Sequence, residues 1–89
     1  MPTLNLLIQG RVQGVFYRAT AKEKAEKLSL TGWIRNSTGG NVEAVVTGTE
    51  EQLQAFISWC KHGPKRAEVS DVIVTLIKDT TFKDFKIVR

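Results

Sequence analysis

One cysteine and one histidine are all that this 89-residue chain holds of two residue types on which much site chemistry depends. Cys60 alone cannot form an intrachain disulfide, which fits a reducing compartment. With His62 as the single histidine and no Cys-x-x-Cys, no metal cluster is expected and a metal-carrier role is excluded. Long apolar runs are missing as well. None approaches the length of a membrane span, and no basic segment followed by an apolar core opens the chain. The expectation is a cytoplasmic protein with no membrane contact. Repeats, linkers and low-complexity stretches are also absent. Acidic residues are outnumbered, nine against thirteen lysines and arginines, for a net charge of +4. Residues 1–45 carry six cations and three anions, and residues 46–89 carry seven and six, so the excess lies mostly in the first half. Such a field steers a small anion toward a site, and it is equally compatible with weak nucleic-acid contact.

What remains is an ordinary globular composition, 42% hydrophobic and 25% charged, which argues against disorder. Residues 1–89 suffice for a single domain with a small two-layer core. Leu4, Leu6 and Ile8 alternate, predicting a strand over Thr3–Gln9. From Tyr17 to Leu28 the pattern becomes helical, with Ala21, Ala25 and Leu28 on one face and Lys22, Lys24 and Lys27 outward. A second strand is expected over Leu30–Asn36 and a third over Asn41–Thr47, joined as a hairpin by Ser37-Thr38-Gly39-Gly40. Thr49 and Gln52 form a capping-box pattern ahead of Leu53, Phe56, Ile57 and Cys60, which recur at helical spacing until Gly63-Pro64 stops them. A fourth strand lies within Val69–Lys78 and a short fifth over Phe85–Val88. The order is that of an α+β, ferredoxin-like βαββαβ sandwich. Two helices are expected on one face of an antiparallel sheet, with the short extra C-terminal strand added.

The residues between the first strand and the first helix carry the chemistry. In Gly10-Arg11-Val12-Gln13-Gly14-Val15-Phe16-Tyr17-Arg18 a glycine-punctuated loop runs into a helix opening at an arginine. Such a loop can turn backbone N–H groups inward, and the helix start adds unpaired donors with a positive dipole end. Arg18 can fork two hydrogen bonds onto phosphate-like oxygens. It is not a Walker A loop, because no Gly-Lys-Ser/Thr closes it, nor a dinucleotide fingerprint, because Arg18 stands where the third glycine belongs. Glycine spacing alone leaves two readings, a phosphate cradle or a tight loop with a solvated arginine. An arginine in the first helical turn opposes the dipole unless an anion is bound there.

Whole words of the chain resemble the acylphosphatases, small enzymes that hydrolyse carboxyl–phosphate bonds. Gly10 to Arg18 is similar to that family's signature, and Thr31-Gly32-Trp33-Ile34-Arg35-Asn36 to its second motif. Matches continue in Gly39-Gly40-Asn41-Val42-Glu43-Ala44, in Trp59 with Gly63-Pro64, and in Phe85-Lys86-Ile87, so the resemblance covers essentially the whole chain. It implies the same fold, with strand order 4-1-3-2 and the terminal strand completing an edge. It also implies that Arg18 binds substrate phosphate and that Asn36 positions the attacking water. Backbone amides of Gln13, Gly14, Val15, Phe16 and Tyr17 are then expected to reach the phosphate oxygens. The substrate is expected to be a small acyl phosphate, hydrolysed without metal or cofactor by a monomer that needs no nucleic acid.

Other residues have plainer readings. His62 is expected as a solvated helix-end residue and Cys60 as buried packing. Glu50 and Glu51 suit helix electrostatics, and Trp33 and Trp59 suit packing. Tyr17 stands where the family commonly has phenylalanine, and its spacing to Ala21 favours packing. Arg11 and Arg35 flank the motifs, either as solvated charges or as additions to the field at the phosphate site. The competing function is a non-catalytic ferredoxin-like module that binds phosphate or RNA. The aromatic pattern of an RNA-binding sheet is missing, however, since Val42 to Thr47 holds no aromatic residue.

Overall fold

The computed structural model describes residues 1–88. Alternation places Leu6 and Ile8 of β1 (Thr3–Arg11) on one face, where both are fully buried. The same alternation in β3 (Val42–Thr47) buries Val42, Ala44 and Val46. The antiparallel ladder matches these sets, Leu6 opposite Ala44 and Ile8 opposite Val42, so one face of the sheet is apolar by register. Onto that face pack α1 (Tyr17–Lys27), through Tyr17, Ala21 and Ala25, and α2 (Glu50–Cys60), through Leu53, Phe56, Ile57 and Cys60. Fully burying one large aliphatic or aromatic side chain contributes roughly 1.5–3 kcal/mol, which makes this shared layer the main source of stability.

With β2 (Thr31–Asn36), β4 (Glu68–Ile77) and β5 (Phe85–Ile87), the sheet runs β4-β1-β3-β2-β5. The expected order and the edge position of the last strand both hold. The sheet is mixed, because β5 pairs with β2 in parallel, Gly32 opposite Phe85 and Ile34 opposite Ile87. Strand β1 runs two residues further than its alternation suggested, and a three-residue 3-10 turn (Thr38–Gly40) lies inside the β2–β3 connection. The α2 capping box is formed as expected. Thr49 Oγ1 accepts from Gln52 N at 3.2 Å, and Gln52 Oε1 accepts from Thr49 N at 2.8 Å. Among the described residues no helix is long and apolar enough to cross a membrane.

Candidate active site

Where β1 runs out, its pairing with β4 slips between Gln9 and Gly10, and this bulge releases the chain into the loop. Three side chains anchor the loop. Val12 and Tyr17 are buried and Val15 packs against the core, so Gly14 and Phe16 between them turn outward. Both have left-handed backbones, φ 73° at Gly14 and 63° at Phe16. For Phe16 that conformation costs about 1–2 kcal/mol. The Phe16 carbonyl is held in place by Thr20, whose N donates at 3.1 Å and Oγ1 at 2.8 Å. Left-handed residues alternating along a loop turn neighbouring amides to one side, the geometry of an anion-binding nest.

Helix α1, which the loop feeds, differs sharply from α2. No side chain caps its N-terminus and no acidic residue lies in its first turn, whereas α2 has its capping box together with Glu50 and Glu51. The first-turn position is held by Arg18, whose charge opposes the dipole. Among the described residues Arg18 forms no ion pair with a carboxylate. Uncapped amides and an arginine at one helix start are features compatible with a bound anion.

Asn36 enters from the sheet. In β2 the inward positions are Gly32, Ile34 and Asn36, by their register against Val46, Ala44 and Val42. Gly32 is required by close approach: its φ is 139°, and a β-carbon there would sit 1.9 Å from Val45 O. Ile34 is fully buried. Asn36, the next inward residue, falls where the strand leaves the core, and it lines an open pocket of about 770 Å³. Gly14, Phe16, Tyr17 and Arg18 line the same pocket, with Ile87 of β5 forming a further wall.

Of the residues expected at the site, Arg18, Asn36, Gly14, Phe16 and Tyr17 are thus brought together. The side chains of Gln13 and Val15 leave it, Val15 to the core and Gln13 to the β2–β3 turn. Arg35 also points elsewhere. Its Nε and a terminal nitrogen both donate to Glu43 Oε1, at 3.0 and 2.8 Å, and its guanidinium lies 5.0 Å from the Trp33 ring centroid. This cluster occupies the opposite face of the sheet. Hydrogen bonds from Asn5 and then Arg35 hold the Glu43 carboxyl below the usual carboxylate range.

Packing explains the other singled-out residues. Trp59 is half-buried against Tyr17, ring centroids 5.4 Å apart, and against Phe56. His62 is exposed, its Nδ1 3.0 Å from Ser58 O. Cys60 is fully buried, and burial pushes its thiol up to about 12. Two features had no sequence signal. The Tyr17 hydroxyl donates to Cys60 O at 2.7 Å, joining the start of α1 to the end of α2. Ile87 reaches the pocket only because β5 docks parallel to β2.

Known proteins resemble this chain in sequence and in fold. The chain matches the family described as Acylphosphatase over residues 4–87. It is 47% identical over 83 residues to the acylphosphatase of Marinobacter nauticus, covering 92% of this chain and 90% of the relative. It is 43% identical over 90 residues to that of Methylococcus capsulatus, covering 100% and 98%. The crystal structure of acylphosphatase from Bacillus subtilis superimposes with a TM-score of 0.96 at 34% identity, over all of both chains.

Proposed function

Since the chain belongs to the acylphosphatase family and is therefore a hydrolase, we propose that Arg18 and the loop amides hold the phosphoryl group of an acyl phosphate while Asn36 orients the attacking water. The observation that carries this reading is the pocket itself. An uncapped helix start bearing Arg18 and the strand end bearing Asn36 open onto one space. Arg18 matches the planar spread of phosphoryl oxygens and places charge where the transition state distributes it. The left-handed backbone at Gly14 and Phe16 aims amides at the same group without any side-chain rearrangement.

Asn36 is a neutral amide and does not take the proton. It holds water in line with phosphorus, an orienting effect worth several kcal/mol. The water oxygen bonds to phosphorus as the bond from phosphorus to the carboxylate oxygen breaks. The electron pair leaves with the carboxylate, and a water proton passes to a phosphoryl oxygen of the substrate. The departing carboxylate has a conjugate acid of pKa about 4, so no general acid is needed. A phosphomonoester would leave as an alkoxide, and this site offers no group to protonate it. Past the phosphate the pocket opens to solvent between Phe16, 76% exposed, and Ile87, 40% exposed. An acyl group standing in that mouth is weakly enclosed, which favours broad acyl tolerance.

The test is phosphate release from benzoyl phosphate in excess EDTA, for the native chain, Arg18→Ala and Asn36→Ala. Robust native turnover lost in both folded variants is the expected result. A native protein that binds phosphate without turning over benzoyl phosphate would overturn the reading and leave a cradle without chemistry.

A further inference from the structure

Gln13 belongs to the cradle loop by sequence, yet its side chain reaches away from it. Nε2 donates to Ser37 O at 3.0 Å and to Asn41 O at 2.8 Å. Ser37 N also donates to Asn41 O, at 2.7 Å. One amide nitrogen therefore sits between the two carbonyls that flank the Thr38–Gly40 turn and closes its neck. Two carbonyl oxygens facing one point repel unless a donor with two N–H groups lies between them, and a carboxamide supplies both from a single atom. Glutamate at this position has no donor, and an apolar side chain has none either.

The neck held in this way is next to the reacting end of β2. Ser37 follows Asn36 directly, and Asn41 precedes Val42, the cross-strand partner of Asn36. Pairing between β1 and β3 ends at Ile8 and Val42. Beyond it, among the described residues, no side-chain hydrogen bond other than those of Gln13 joins residues 12–16 to residues 37–41. Apart from the shared apolar core under them, the loop that cradles phosphate and the strand end that presents Asn36 are thus tied by the hydrogen bonds of one side-chain amide.

We propose that Gln13 is a positioning residue whose side chain sets Asn36 against the phosphate cradle. It does so without touching phosphate, and the inference rests on Asn36 orienting the water. The backbone N–H of Gln13 keeps its place in the cradle; the new role is that of the carboxamide. Sub-ångström placement of a water governs in-line attack, whereas phosphate binding depends on Arg18 and the loop. Loss of the tie therefore lowers turnover and spares phosphate affinity.

A double-variant cycle tests this with Gln13→Ala, Asn36→Ala and the pair combined. The measurements are kcat and KM on benzoyl phosphate, inhibition by inorganic phosphate, and the melting temperature of each variant. Gln13→Ala is expected to lower kcat about 10- to 100-fold while the phosphate inhibition constant moves less than about threefold. On the residual turnover of Asn36→Ala, read at raised enzyme concentration, the same change is expected to cost less than about threefold more, because the group being positioned is gone. Gln13→Met, of matching length and without a donor, repeats the test should the alanine variant fold poorly. Native kcat in Gln13→Ala or Gln13→Met overturns the proposal. So do losses that multiply in the double variant, or a phosphate inhibition constant that rises in step with the fall in kcat. Native kcat in Asn36→Ala alone is a separate outcome: it refutes the orienting role of Asn36 and this inference with it, whereas an inactive Asn36→Ala beside a fully active Gln13→Ala refutes the inference alone.

Discussion

Replacing Tyr17 by Phe removes a single oxygen from a residue inside the Gly10–Arg18 motif, and the structure assigns its effect to stability. The hydroxyl donates to Cys60 O at 2.7 Å in a buried setting. At the end of α2, Lys61 N donates to Ile57 O, and His62 N and Gly63 N both donate to Trp59 O. Among the described residues, the Cys60 carbonyl is therefore left to the phenol. Leaving a buried carbonyl without its donor costs about 1–3 kcal/mol. Removal of the phenol oxygen, which no longer has to be desolvated, offsets part of that, so a net loss of ~1–2 kcal/mol is expected. For a domain of this size that lowers the melting temperature by roughly 5–15 °C. The ring itself stays in place, held between Trp59 and the Gly63 backbone, where even a β-carbon would come within 2.6 Å of it. The hydroxyl is hydrogen-bonded to the Cys60 carbonyl of α2, so kcat on benzoyl phosphate at about 25 °C is expected to stay native within about twofold. Thermal unfolding by circular dichroism, paired with steady-state hydrolysis, reads both quantities. An unchanged melting temperature would refute the energetic reasoning. A large fall in kcat without loss of stability would show that the hydroxyl serves the reaction.

Gly32→Ala places a β-carbon 1.9 Å from Val45 O at φ 139°. It is expected to destabilise by at least about 3 kcal/mol, and a urea midpoint close to native would show that β2 and β3 can separate there freely. Cys60 should resist a water-soluble thiol reagent at pH 8 in the folded protein and react promptly once denatured; labelling of the native state would contradict its burial. Because folding raises that thiol to about 12 from an ordinary 9.0, its contribution to stability is complete below pH 9. It declines above that pH by up to about 1.4 kcal/mol per pH unit, and Cys60→Ala should remove that share of the decline in denaturation measured from pH 8 to 11. Phe16→Ala, at the exposed rim of the pocket, should raise KM for benzoyl phosphate about fivefold through lost apolar cover of ~40 Å². KM for acetyl phosphate should hardly move, and equal changes for both substrates would dismiss Phe16 as a wall for the acyl group.

Short-range physics made much of this protein legible in advance. The α2 boundaries follow from a capping box four residues long and a Gly-Pro stop. The buried face of β1 and β3 follows from alternation, and the two motifs bring the family with them. Arg18 at an uncapped helix start is likewise a local feature, since the conflict between its charge and the dipole is written within one turn. Tertiary structure alone decided what depends on residues meeting across the chain. Strand pairing turned Asn36 toward the pocket and Arg35 onto the opposite face, where Glu43 and Trp33 take it up. Parallel docking of β5 made Ile87 a wall of the site. The Gln13 amide found carbonyls 24 and 28 residues away, and the Tyr17 hydroxyl one 43 residues away. Periodicity and capping report forces that act within a turn or a strand, whereas the partner of a single polar atom is set by the packing of whole elements.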